Sequence, residues 1–521
     1  MNNTFCLTSS APPLAGKDGI NYYNIKMKKL LLFSMIAVLL FSSLKINAQE
    51  VKQLKFEDVI KIAEEQSPNA LMAKHRFRSS YWQYRSFRAQ YLPSLTLSGT
   101  TPDFSNGLDK VYDSQTEQYI YIPKNTISNL GTLSLAQNIG PTGTVIALRS
   151  DLTLFKDIEK APKITNYITN PVSVDITQPI RKYNTLKWQS KIEPVKYDAA
   201  KKTYLSGIEG VHLSAVMNFF SLALAQINKQ ISEMNYSNAD TLYRIAKGRY
   251  QLGTIAEDEL LQMQLSWLNA ETARKQADMN LRDREIRLRS FLGYNENVRL
   301  ELILPDEIPD LQVDTKEVLD LAMVNNPDIL TQQINVLNAQ SNAAQAKASK
   351  GLNASVTASL GLSQQSTDLN SAYNNLSNSQ RVRVGFTFPI LDWGLGKGRY
   401  QMAKSSLELA VVQKDQALVD FQQNLYLDVA LFNLQKSQVE IAAKSDTVAM
   451  KRYEVTKQRF LIGKIAVLDL NDADSRKDEN KRAYVQSLQD YWNYFYNMRQ
   501  LTLFDFINRK PLETDYDKLL K

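Results

Sequence analysis

Apolar residues recur at spacings of three, four and seven along two very long stretches, about 182–250 and 395–460. In the first, Tyr204, Ile208, Val211, Ala215, Leu222, Ile227, Ile231, Met234, Leu242 and Ile245 fall mostly at spacings of three, four or seven. That periodicity predicts α-helix. A 69-residue helix would run roughly 100 Å at 1.5 Å per residue, so an elongated coil rather than a compact bundle is expected. Each long stretch stops at a glycine, in "RYQLGTIAEDEL" (249–260) and "RFLIGKIAVLDL" (459–470), and a second helical pattern then runs to about 292 and 504. Leu260, Met263, Trp267, Ala270, Ala277, Leu281 and Leu288 form a seam of coiled-coil type in the first of these, which predicts antiparallel helical hairpins.

A different period precedes each long helix. "SLTLSGT", "VSVDITQPI", "ASVTASLGLS" and "RVRVGFTFPI" alternate apolar with polar residues, the signature of strands with one apolar face. Between the first two lies "TLSLAQNIGPTGTVIALRSDL", read as an additional hairpin turning at Gly140-Pro141-Thr142-Gly143. Whether it joins the other strands is open at this level. Further upstream, "IAEEQSPNALMAK" and "LAMVNNPDILTQQ" predict helix pairs around Pro68 and Pro327, over roughly 55–91 and 314–350.

These landmarks form a duplication. Gly253 and Gly463 lie 210 positions apart, as do Pro179 and Pro389. Pro68 and Pro327 are 259 apart, so the first half carries 49 extra residues, between Gly99 and Pro171. The expected organisation is a first helix–strand–helix repeat over 50–300, a linker over 301–313, a second repeat over 314–508 and a tail over 509–521.

"MKKLLLFSMIAVLLFSSLKINAQ" (27–49) has the basic start, short apolar core and small-residue end of a secretory signal. Met27 is then the expected start, and residues 1–26 a non-native extension that carries the only cysteine, Cys6. After the signal no run of 18 apolar residues remains and the mean hydropathy is −0.33, so membrane insertion would have to take the form of a β-barrel. The net charge of +8 is modest for 521 residues. The basic and aromatic interleaving of 74–93 fits a helix nearing a bilayer better than a nucleic-acid site, so no nucleic acid is expected. "GLGKGR" (394–399) lacks the Lys-Ser/Thr ending of a phosphate loop. His75 and His212 stand far apart with no cysteine to complete a zinc site. No nucleophile–base arrangement is legible, so neither an enzyme nor a cofactor is expected.

Two helix–strand–helix halves, long coils, paired strands and an export signal together resemble the TolC-like outer-membrane efflux family, over about 52–508. The most specific residues are the two glycine breaks with their following carboxylates: Arg249-Tyr250-Gln251-Leu252-Gly253 with Glu259, and Arg459-Phe460-Leu461-Ile462-Gly463 with Asp469 and then Asp472. "PILDWG" (389–394) is similar as well. The resemblance implies an α+β membrane protein. Antiparallel coiled-coil helices would form a periplasmic tunnel, and short strands would contribute to a twelve-stranded outer-membrane barrel shared by a homotrimer. It implies a passive exit duct of a tripartite efflux or type I secretion system, in outer-membrane lipid. A periplasmic adaptor would dock at the hairpin tips (Leu252, Gly253, Thr254, Ile462, Gly463, Lys464), with an inner-membrane transporter beyond it. Glu259, Asp469 and Asp472 become candidates for rings of carboxylate at the inner aperture, although acids in a first helical turn also serve the helix dipole. Phe460 and Ile465 replace the polar gate residues some members carry. The alternative is a soluble periplasmic coiled-coil scaffold or adaptor without a pore. A barrel needs the apolar residues of Val172–Ile180 and Val382–Ile390 facing outward, whereas a scaffold would hide them.

Overall fold

The computed structural model describes residues 51–158, 164–294, 298–305, 307–462, 464–465 and 467–521. The extension 1–26 with Cys6, the signal 27–49 and Gly463 lie outside the described residues. The chain divides into two units, Met1–Leu54 with Asn295–Glu301, and Lys55–Tyr294 with Leu302–Lys521. In the first, β1 (Val51–Lys55) pairs with β6 (Arg299–Ile303), and Gln53 Nε2 donates to Glu301 Oε2 at 3.1 Å.

The second unit holds the duplicated elements. In half one these are α1 (Phe56–Gln66), α2 (Pro68–Ala89), β2 (Ser94–Asp113), β3 (Gln118–Ile139), β4 (Thr144–Asp157), β5 (Ile164–Arg181), α3 (Thr185–Gln251) and α4 (Glu257–Leu292). Half two has α5 (Thr315–Asn325), α6 (Pro327–Ser349), β7 (Asn353–Ser366), β8 (Ser377–Thr387), α7 (Leu395–Leu461) and α8 (Val467–Thr502). The long helices α3 and α7 both have 67 residues, and their partners α4 and α8 both have 36. The proline landmarks are helix starts: Ser67 Oγ accepts from Ala70 N (3.1 Å) and Asn326 Oδ1 from Asp328 N (2.8 Å), each with proline in the first turn. Proline suits that position because its missing N–H would lack a helical partner anyway. Pro194 lies inside α3, near its start.

A buried aromatic core lies where α1, the middle of α3 and the end of α8 meet. Phe56, Phe219 and Phe220 are fully buried and interlock with Trp492, the Phe56–Trp492 ring centroids being 4.7 Å apart. Tyr491, Phe495 and Met498 continue this core along α8. Truncating one such ring leaves a cavity worth about 3–5 kcal/mol.

A charged cluster sits against the aromatic core. Arg499 clamps Glu209 through Nε (3.0 Å) and Nη2 (2.9 Å), and its Nη1 lies 3.0 Å from Asp505. His212 Nδ1 is 3.2 Å from Glu209 Oε2, and its Nε2 faces Glu64 at 3.4 Å. Glu209 and His212 are buried. Burial pushes the Glu209 carboxyl up, but His212 and Arg499 outweigh it and hold it below its ordinary value. Burial pushes the His212 imidazole down, and the two carboxylates more than reverse that.

Arg499→Ala strands a buried carboxylate, so we expect a loss of about 3–5 kcal/mol in denaturant unfolding of the detergent-solubilised protein. Arg499→Lys should recover only part, because an ammonium cannot reproduce the bidentate geometry. Because His212 has a raised folded-state pKa, its stabilisation is complete below its ordinary 6.5 and is lost as pH rises through the raised value. The stability difference between wild type and His212→Gln should therefore shrink on going alkaline, as read by unfolding midpoints across pH.

Candidate functional site

The six strands form one antiparallel sheet in the order β2-β3-β4-β5-β7-β8. The additional hairpin foreseen in half one is β3–β4, inside this sheet, so half one supplies four strands and half two supplies two. The resemblance implied four strands per copy; the described residues carry six. Register sorts the side chains into rows. Leu95, Leu135, Leu148, Val174, Leu360 and Gln380 stand opposite one another across all six strands. One residue along, Thr96, Ser134, Arg149, Ser173, Gly361 and Ser379 form a polar row. Successive strand residues point to opposite faces, so the sheet is apolar on one side and polar on the other. Arg149 Nε also reaches Asp175 Oδ2, at 3.3 Å.

The apolar side is open. Leu97 is 80% exposed, Val382 71% and Phe386 73%, and Val172, Val174, Ile176 and Ile180 are exposed too. A scaffold would have covered these residues. Strand β8 ends at Thr387, short of the expected Ile390, and Phe388, Ile390, Leu391 and Trp393 follow it as an exposed apolar run. The "PILDWG" motif has a local explanation: Asp392 Oδ1 accepts from Gly394 N (3.0 Å) and Oδ2 from Gly396 N (2.8 Å), capping α7. The aromatic residues of 74–93 pack α2 on α3, from Tyr84 up to Tyr91 at the other junction between sheet and helix. Tyr84 stacks on Tyr197 at 4.6 Å, Tyr91 Oη donates to Leu186 O (2.9 Å), and Trp82 remains exposed.

At the opposite ends of the long helices are the hairpin tips. Leu252 ends α3 and is 80% exposed. Gly253 turns with φ +69° and has no neighbour within 4 Å of where a Cβ would sit; its φ, rather than crowding, is why a glycine belongs there. Thr254 closes the turn, N and Oγ1 both donating to Arg249 O at 3.0 and 2.9 Å. The second tip repeats this with Lys464 N donating to Arg459 O (3.0 Å), and Ile462 and Lys464 are exposed. Ile465 is half-buried, and Phe460 packs on a small cluster of Tyr453, Leu470 and Ala473.

The three acids are not equivalent. Glu259 lies in the first turn of α4 with Glu257 and Asp258, where Ala256 offers no capping side chain. Asp469 occupies the matching first turn of α8 and is exposed. Asp472 is ion-paired: Arg452 Nη2 lies 2.6 Å from it and Arg476 Nε 3.6 Å, and the Arg452 hydrogen bond holds its carboxyl below the ordinary carboxylate range. Glu259 belongs to one hairpin and the two aspartates to the other.

Sequence reasoning missed how the hairpins are joined above their tips. A cleft of about 1050 Å³ runs between α3, α4, α7 and α8, lined by Asn228, Asn235, Asn238, Asn269, Asp474 and Asp478 among others. Asn235 Nδ2 donates to Asp478 Oδ2 (2.8 Å) and Asn238 Nδ2 to Tyr453 Oη (3.3 Å). Lys477, buried beside them, pairs with Asp474 at 2.6 Å and lies 4.1 Å above the Tyr453 ring. Asparagines at helical spacing in an otherwise amphipathic stretch were the available signal.

The family model described as outer membrane efflux protein matches residues 156–294 and 318–502. No curated relative matches the chain. Among solved structures, the CmeC outer membrane channel of Campylobacter jejuni superposes with a TM-score of 0.62 at 16% identity, covering 89% of this chain and 88% of that one. The outer membrane protein VceC of Vibrio cholerae gives 0.58 at 14% identity, covering 88% and 97%. The open-state MtrE outer membrane channel of Neisseria gonorrhoeae gives 0.50 at 15% identity, covering 88% and 91%. At these identities the likeness is one of fold.

Because Asn235–Asp478 ties one hairpin to the other, Asn235→Ala should speed amide exchange in the tip-proximal segments 228–250 and 457–482. The aromatic core around Phe219 should stay unchanged, as read by hydrogen–deuterium exchange mass spectrometry.

Proposed function

The chain belongs to the outer membrane efflux protein family, and on that premise we propose that it is a passive exit duct built from three copies. The sheets would form a barrel in the outer membrane, and the coils would project into the periplasm as a tunnel. A periplasmic adaptor would meet the hairpin tips at Leu252, Gly253, Thr254, Ile462, Gly463 and Lys464, and an inner-membrane transporter would load the duct from beyond it. One observation carries this reading: a registered sheet with a continuous open apolar face. Such a face suits hydrocarbon, while the polar face suits a water-filled lumen. The exposed Trp393, just past the end of β8, suits the headgroup level. Efflux is favoured over polypeptide secretion by the family's description alone.

The tips would set the aperture. Three copies would bring three Glu259 and three Asp469 carboxylates around it, and closely spaced acids favour cations. Arg452 and Arg476 offset much of the Asp472 charge within each chain, so Asp472 would contribute less. With Phe460 and Ile465 in place of a polar gate, closure would rest on the apolar seat of Phe460 and on the asparagine ties between hairpins.

Purified protein should require detergent and conduct ions across planar bilayers; a mature protein that stays soluble without detergent and forms no channel would overturn the duct. Glu259→Gln with Asp469→Asn should reduce cation preference several-fold, and Asp472→Asn should change it less. Selectivity unmoved by the double variant would remove these acids from the aperture.

A further inference from the structure

We propose that three copies close an eighteen-stranded barrel, each copy pairing its β8 with β2 of the next. The proposal rests on the three-copy, outer-membrane reading above and concerns the wall.

The β3–β4 hairpin shares the wall's chemistry. The apolar row crosses it at Leu135 and Leu148, and the polar row at Ser134 and Arg149. A hairpin folded into the lumen or lying outside the membrane would have no reason to keep both rows in register with β5 and β7. Its inner turn is also anchored where the other strands take root. Asn184, which caps α3, donates to Gly140 O (2.8 Å), while Gln137 and Asn138 donate to Tyr91 O (2.7 Å) and Gln90 O (3.0 Å) just before β2. Gly140 sits so close to Tyr91 that an added Cβ would lie 2.4 Å from its ring.

Length permits spanning as well. The shortest of the six strands, β8, has 11 residues, and a tilted membrane strand needs about 9–11.

The two edges then require a partner. Strands β2 and β8 are exposed along nearly their whole length. In hydrocarbon each unpaired edge group costs several kcal/mol, so the edges must close on something. All neighbours in the sheet are antiparallel, and six is an even number, so β2 and β8 run in opposite directions. A second copy's β2 laid beside β8 therefore continues the antiparallel pattern, and three such seams close it. At about 4.8 Å between strands and a tilt near 40°, eighteen strands give a backbone diameter of roughly 36 Å, against roughly 24 Å for twelve.

Electron cryomicroscopy of the full chain in lipid nanodiscs, viewed along the axis, counts copies and strands together. Three copies with eighteen strands are expected. Three copies with twelve would overturn this inference and leave the duct standing; a copy number other than three would overturn both. Thiol cross-linking in a Cys6→Ser background gives an independent reading. Ser379→Cys lies well along β8 from its helix-proximal end. It should yield copy-to-copy products, β8 to β2, when paired in turn with cysteines about as far along the polar face of β2, Ser98→Cys, Asp103→Cys and Ser105→Cys. Products appearing instead when Ser379→Cys is paired with Asp151→Cys or Thr153→Cys of β4 would exclude β2–β3 from the wall and overturn the inference.

Discussion

Hydrocarbon offers no partner to a backbone amide or carbonyl. The six strands satisfy each other through long ladders that shift register only at a few bulges, such as Thr100/Asp103 and Arg149/Asp151, and the alternation along each strand sorts the side chains to match. Once the sheet must stand in lipid on one side and water on the other, the ends of its strands are obliged to leave at one level. There the chain turns into helices, fastened by Asp392, Asn184 and the aromatic residues of α2. The long coils are what a chain does with so many residues when its strands have already been committed to a wall.

Stability is concentrated rather than spread. The aromatic core of Phe56, Phe219, Phe220 and Trp492, with Glu209 and Arg499 against it, gathers α1, α3 and α8 at one height. Between that core and the Tyr453–Leu470 cluster nearer the tips the interior is polar, with Asn235, Asn238, Lys477 and Asp478. Lys477 and Asp478 are buried there, so breaking their contacts leaves charged groups without partners and fixes the hairpins' relative position. An aromatic stretch and a polar stretch thus succeed one another along α3 and α8.

Much of this was legible in the residues. The helix lengths, the glycine turns and the duplication follow from periodicities that act over a few residues, and Gly253 turns where its pattern breaks. The extra hairpin was legible as a hairpin, through Gly140-Pro141-Thr142-Gly143, but not as part of the wall. Its place depends on pairing with β2 and β5, and strand pairing is a non-local property. The same limit hid the candidate site's electrostatics. Asp472 looked like a free aperture acid in one dimension, yet Arg452, 20 residues away, crosses the hairpin to meet it. Nothing near Glu209 and His212 in the chain points to Arg499, 290 positions on from Glu209, which closes their cluster. The acids Glu259 and Asp469 sit in matching first turns, as their spacing after the glycines suggested.

The tight turn between β3 and β4 carries a lesson about descent. Both ends of that hairpin return to the same side of the sheet, so its gain or loss in an ancestor leaves every downstream strand direction, and every helix that follows, as it was. A single added strand would have delivered α3 to the wrong side of the bilayer. Such a wall would widen over generations only in pairs of strands, and halves of four strands against two are what one such step would leave in a duplicated gene.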